Sequence, residues 1–193
     1  MKIGRLLLRL VVGSLFFGHG AQKLFGWFGG HGLDATANMF DSIGMRPGSR
    51  NAVAAGLAEA GGGAGIALGL ATPLSASVLT ATMLTAINRV HLKNGPWVTN
   101  GGYEYNLVLI AAALAIVDVG PGNLSLDHLL DNERTGPKWT LVALALGVAG
   151  AAGAHFAAES YPAPVEAPAE ATAASTNGDA SAPAESQEAG TAQ

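Results

Sequence analysis

Five apolar stretches, each near the length that crosses a bilayer, leave this chain few folds to choose from. A helix needs about 20 mostly apolar residues to span a hydrocarbon core roughly 30 Å thick. Residues 10–28, 52–72, 74–92, 103–119 and 139–158 meet or approach that length. Inside them the charged residues are only Lys23, Glu59, Arg89, Glu104 and Asp118. A helix satisfies its own backbone N–H and C=O groups, which lipid cannot do. The predicted fold class is therefore all-α: an integral membrane four-helix bundle with a fifth transmembrane helix and a disordered C-terminal tail.

Composition supports that choice. Charged residues make up 12 % of the chain and hydrophobic ones 49 %, about half the charge of an ordinary soluble domain. Residues 159–193 hold six acids and four prolines but no Lys, Arg, Leu, Ile or Phe. Such a segment cannot bury enough apolar surface to fold alone, so it is predicted to be disordered. The other residues carry eight acids and ten bases, so the net charge of −4 belongs to the tail and says little about partners. No basic stripe with interleaved aromatics is present, which argues against nucleic acid as a partner and leaves the lipid bilayer. Cysteine is absent; disulfides, thiolate catalysis and a persulfide relay on this chain are excluded.

Lys2, Arg5 and Arg9 ahead of an apolar run resemble the start of a signal peptide, with Gly18 and Gly20 framing a small-residue site. The apolar pattern continues through Leu24, Phe25, Trp27 and Phe28, so a retained helix is expected. Thr72-Pro73 predicts a tight turn, because Pro disfavours helical geometry in the residue before it. The helices on either side then run antiparallel. Gly61, Gly65 and Gly69 recur at i, i+4, i+8 and predict a stripe for close helix approach. The GGGAG run lacks the Lys-Ser/Thr ending of a phosphate loop. Residues 29–51, 93–102 and 120–138 are expected to be loops.

Charges inside a bilayer cost at least ~2.5–3.5 kcal/mol each, so their depths carry information. At 1.5 Å rise per residue, Lys23 and His19 lie roughly 8 and 14 Å below the surface at which the first helix ends. Glu59, seven residues into an oppositely running helix, lies roughly 10 Å below the same surface. The third helix ends there with Asn88, Arg89 and His91, and the fourth starts there with Tyr103, Glu104 and Asn106. Ionisable residues well inside the helices thus map to one half of the membrane.

Three readings of this cluster stand open. Lys23–Glu59 and Arg89–Glu104 are structural ion pairs, with His19 and Asn88 as interhelical hydrogen-bonding groups. Alternatively, the cluster lines a polar pocket for a quinone, substrate or proton, formed by His19, Lys23, Glu59, Asn88, His91 and Glu104. A metal site of His19, Glu59 and His91 has suitable ligands but no tight spacing such as HExxH. His31, His128 and His155 are expected to be solvated or interfacial.

Five segments in order carry a family resemblance: FFGHGAQKLFGWFG (16–29), GLAEAGGG (56–63), AINRVHLKNG (86–95), GGYEYNLVLIAAAL (101–114) and GPGNLSLD (120–127). Together they resemble the DoxX family of small bacterial membrane proteins. Pro96 departs from the aromatic residue expected after KNG. The resemblance implies a DoxX-like four-helix membrane bundle over residues 1–128, followed by a loop and added helix over 129–158 and the acidic tail over 159–193. It also implies a multi-pass protein of the bacterial plasma membrane, serving as a subunit of a membrane-associated oxidoreductase system. Quinone-linked oxidation of reduced sulfur compounds is associated with some relatives, so a quinone or other small redox molecule is the cofactor expected. The family's polar positions fall here on His19, Lys23, Glu59, His91 and Glu104. Alternative roles are a scaffold docking soluble redox enzymes and a small-molecule transporter. Five bases against four favour a cytoplasmic N-terminus under the positive-inside rule, with an external C-terminus.

Overall fold

The structure is a computed structural model and describes residues 2–161. All but the first residues of the predicted disordered tail lie outside the described residues. Among the described residues every regular element is helical.

Helix α1 (Ile3–Phe25) starts before the first apolar stretch. Arg5 and Arg9 consequently lie within the helix. It stops at Gly26, whose φ of 70° is left-handed and whose N–H returns to the Gln22 carbonyl, a termination that glycine adopts without steric cost. Helix α2 (Gly32–Ser42) occupies what was expected to be loop. Leu33, Thr36, Ala37 and Phe40 recur at helical spacing there and turn inward, which gives this short segment an apolar face.

Helix α3 (Gly48–Leu68) ends on left-handed Gly69. Helix α4 (Thr72–Ala86) has Pro73 in its first turn. It continues through a π-helical turn, Ile87–His91, and a 3-10 turn, Leu92–Asn94. Helix α5 (Glu104–Val119) follows. The expected loop 120–138 contains a one-turn helix, α6 (Leu126–Leu129). Helix α7 (Pro137–Glu159) begins with Pro137, whose missing N–H falls where no intrahelical partner exists.

The largest interface joins α1 to α3, and the next joins α4 to α7. Helix α4 also packs on α3 and α5. Val12, Phe16, Ile66, Leu79, Ile116 and Val117 form the main core. A second cluster, Phe40, Met45, Ala52 and Ala158, ties α2 and the start of α3 to the end of α7. Helices α4 and α7 run in the same direction, since Thr80 abuts Gly147 and Arg89 bonds His155. Among the described residues α1 and α7, at 23 residues each, are long and apolar enough to cross a membrane. Large apolar side chains cover their outer faces, including Leu7, Val11 and Leu15 on α1 and Leu141, Leu146 and Val148 on α7.

Of the expected stripe of Gly61, Gly65 and Gly69, only Gly65 sits at a close helix–helix approach, against Ser75 of α4. Gly61 faces open space and Gly69 is a helix terminus. The α1–α3 contact uses Gly13 and Gly20 from α1 and Gly63 from α3. A Cβ on Gly20 would stand 2.3 Å from the Ala60 nitrogen, and one on Gly63 would stand 2.4 Å from the Phe17 nitrogen. Both obstacles are backbone and cannot rotate away. Gly20→Ala and Gly63→Ala should each destabilise by about 1–3 kcal/mol, the usual range for overpacking, while Gly61→Ala stays within about 0.5 kcal/mol. Thermal midpoints in detergent check this; equal midpoints for Gly61→Ala and Gly20→Ala would mean that the interface lies elsewhere.

Candidate functional site

The close backbone approach of α1 and α3 sets the geometry of one end of the molecule. Gly20 presses on Ala60 and Gly56, and Leu24 fills the space beside Gly56. Lys23, in the last turn of α1, thereby reaches Glu59 on α3, with Nζ 2.5 Å from Oε2. Glu59 is 4 % exposed, and the Lys23 side chain is 23 % exposed. The Lys23 side chain is thus partly open to the outside and that of Glu59 is nearly enclosed. Burial of the pair is tolerable because each charge neutralises the other; stranding one would be costly.

The other expected residues are distributed along this end and the segment after α4. His19 is exposed, and its Nδ1 lies 3.1 Å from the Gln22 Oε1. Gln22 in turn donates to the Phe28 carbonyl, so the His19 face is tied to the turn after α1. His91 Nδ1 lies 2.8 Å from the Gly101 carbonyl, holding the segment 92–101 as a closed loop. Glu104 accepts from the Val98 N–H at 2.8 Å, and it does not meet Arg89.

The expected Arg89–Glu104 pair is replaced by another. Arg89 Nη2 bonds His155 Nδ1 at 2.8 Å and Glu159 Oε1 at 3.2 Å. The reason is the return of α7 alongside α4, which brings its last turn against the π-helical turn. His155, expected to be solvated or interfacial, is half-buried here and bonds Arg89. Asn88 is exposed at the mouth of a groove between α4 and α7. Among the described residues no group of three or more His, Asp or Glu side chains is placed to hold a metal.

Two buried charges escaped the sequence reading, and they sit at the opposite end of α1. Arg9 is 3 % exposed. It donates to the carbonyls of Ala67, Pro121 and Leu124 at 3.0, 2.6 and 2.5 Å. Asp127 is 1 % exposed. Its carboxylate accepts from the Ala71 N–H (2.7 Å), the Thr72 N–H (2.9 Å) and the Thr72 hydroxyl (2.7 Å). It caps α4 from a distance, a role usually filled by the residue preceding a helix. Buried ionisable groups therefore lie at both ends, not in one half alone. A signal existed for Asp127: Ala71, the residue at the α4 N-cap, has no side chain that can cap.

The ion pair yields a direct test. Lys23→Met or Glu59→Leu alone strands a charge at low dielectric, a loss of roughly 3–5 kcal/mol. The double variant should retain more folded, detergent-stable protein than either single one. A double variant as poorly folded as the worse single one would show that the two charges do not stabilise each other.

Comparison with known proteins places this arrangement in context. The DoxX family model matches residues 4–92, which include α1, α3, α4 and the π-helical turn. The chain is 35 % identical over 126 residues to a protein named "Putative oxidoreductase CatD" from Bacillus subtilis (strain 168). That match covers 65 % of this chain and 86 % of the relative. No solved structure matches. With a relative of this identity covered over nearly its full length, and a family model matching the segment that holds Lys23 and Glu59, the chain belongs to the DoxX family.

Proposed function

We propose that this protein is a multi-pass plasma-membrane subunit of an oxidoreductase system, with a pocket for a quinone or similar small redox ligand at Lys23 and Glu59. In this reading α1, α3, α4 and α5 form a four-helix membrane body over residues 1–128, α7 crosses as a fifth helix within 129–158, and an acidic tail follows. The relative named as a putative oxidoreductase supports the redox assignment. The apolar outer faces of α1 and α7 support the membrane assignment.

The observation that carries the site is unused hydrogen-bonding capacity. An ammonium has three donors and a carboxylate about four acceptor positions. Among the described residues Lys23 and Glu59 use one each, on one another. Arg9 and Asp127, by contrast, are held by three partners apiece, as befits structural groups. Lys23 would donate to a carbonyl oxygen of the ligand, and Glu59 would take up or deliver its proton. A quinone supplies the two-electron chemistry that this cysteine-free chain lacks. A soluble redox enzyme would be the partner that exchanges those electrons. His19, Asn88, His91 and Glu104 complete the proposed pocket end as outer polar groups.

His19→Gln and Glu59→Gln preserve shape while removing proton-carrying capacity. His19→Gln should insert at wild-type levels and Glu59→Gln at lower levels, because Lys23 loses its counter-charge. Both should lose co-purifying quinone per mole of folded protein, read by mass spectrometry of gently solubilised protein. Normal ligand content per mole of folded protein in both would reduce the cluster to an assembly role. The proposed topology has its own measurement. With a cytoplasmic N-terminus and five crossings, a cysteine placed by Ser160→Cys reacts with a membrane-impermeant maleimide on intact cells. Protection until lysis would reverse the orientation or remove a crossing.

A further inference from the structure

The parallel helices α4 and α7 leave between them a groove of about 310 Å³, at the lower end of the roughly 300–1,000 Å³ seen for small-molecule sites. Val148, Ala152 and Phe156 give it an apolar wall. Towards the C-terminal ends of both helices it is lined by Asn88, Arg89 and His155. The π-helical turn Ile87–His91 belongs to this mouth, and such turns often accompany functional sites.

We infer that this groove binds a glycerophospholipid with a net negative headgroup, one acyl chain lying along the apolar wall and the phosphate held by Arg89. Three observations support the assignment. The Arg89 side chain is 14 % exposed and engages His155 and Glu159 through Nη2 alone. Nε and Nη1, the latter close to Gly44, make no hydrogen bond among the described residues, and a guanidinium offers a fork suited to phosphate oxygens. The acid that faces Arg89 is weakly held: the Glu159 side chain is 61 % exposed at 3.2 Å, the kind of surface pair that contributes little and yields to a competing anion. The mouth lies beside the last turn of α7, where an apolar 23-residue helix ends and headgroups meet hydrocarbon. A ligand without an anionic oxygen would offer the Nε and Nη1 donors no charged acceptor, and free phosphate would leave the apolar wall unused. The site is separate from Lys23 and Glu59 and stands whether or not those residues bind a redox ligand.

Native mass spectrometry of the full-length protein in neutral detergent tests this. Dioleoylphosphatidylglycerol and dioleoylphosphatidylcholine are titrated separately, then with inorganic phosphate as competitor. The wild type should retain phosphatidylglycerol about tenfold more tightly than phosphatidylcholine, with no competition from phosphate. Arg89→Gln should abolish that preference. Ala152→Leu, which fills the exposed groove wall without touching Arg89, should weaken both lipids while circular dichroism stays unchanged. Equal retention of the two lipids by the wild type would overturn the inference. So would phosphate competition, which would make Arg89 a plain anion site, or undiminished retention by Ala152→Leu.

Discussion

Between α1 and α3 the backbones meet with almost no side chain between them, and much else in the molecule depends on that contact. Gly13 lies against Gly63 and Ala67, and Gly20 lies against Gly56 and Ala60. Small residues at the seam let the two helices pack closely enough for backbone to meet backbone. At this separation a lysine on one helix reaches a glutamate on the other directly. With larger residues at the seam the helices would stand farther apart, and the carboxylate would lose its partner. Seam and ion pair are two consequences of one spacing.

The Lys23–Glu59 contact was legible in the sequence for a simple reason. Depth along a regular helix follows from residue count alone, and a short turn at Thr72-Pro73 fixes relative direction for the helices that flank it. What residue count cannot supply is which face a side chain occupies, or what a distant segment does. The GGG run at 61–63 offers a glycine to several faces of α3, so period alone could not distinguish Gly63, at the seam, from Gly61, which faces outward. The Arg89–Glu104 pairing failed because α7 returns parallel to α4, a non-local event without a local signature. Helix α2 was missed despite its apolar recurrence at Leu33, Thr36, Ala37 and Phe40, because the Gly residues flanking it read as loop.

The two ends of the molecule differ in how completely their charges are used. At one end Arg9 gathers carbonyls from the end of α3 and from the 121–124 segment. Asp127 anchors the α6 region to the start of α4, and its own N–H bonds the Gly69 carbonyl. Every bond there joins segments remote in sequence. With all three nitrogens of the Arg9 guanidinium and both oxygens of Asp127 engaged, a network of this kind holds chain connections in place. At the other end Lys23 and Glu59 are paired only with each other among the described residues, near exposed aromatics such as Phe25, Trp27 and Phe28.

That asymmetry decides which charges deserve a functional reading. Burial alone does not, since Arg9 and Asp127 are as buried as Glu59. Neither does membership in a helix, since Arg9 and Lys23 share α1. The discriminating property is residual capacity beside an opening. Lys23 retains donors and partial exposure, Glu59 retains acceptor positions behind it, and Arg89 retains donors at the mouth of a groove. An ammonium with two donors to spare can add a ligand while keeping its ion pair, whereas a guanidinium with every nitrogen held by a carbonyl is already committed. Unused hydrogen-bonding capacity on this scaffold therefore concentrates at the end shared by the C-termini of α1, α4 and α7, while the opposite end preserves the connections that keep those helices in register.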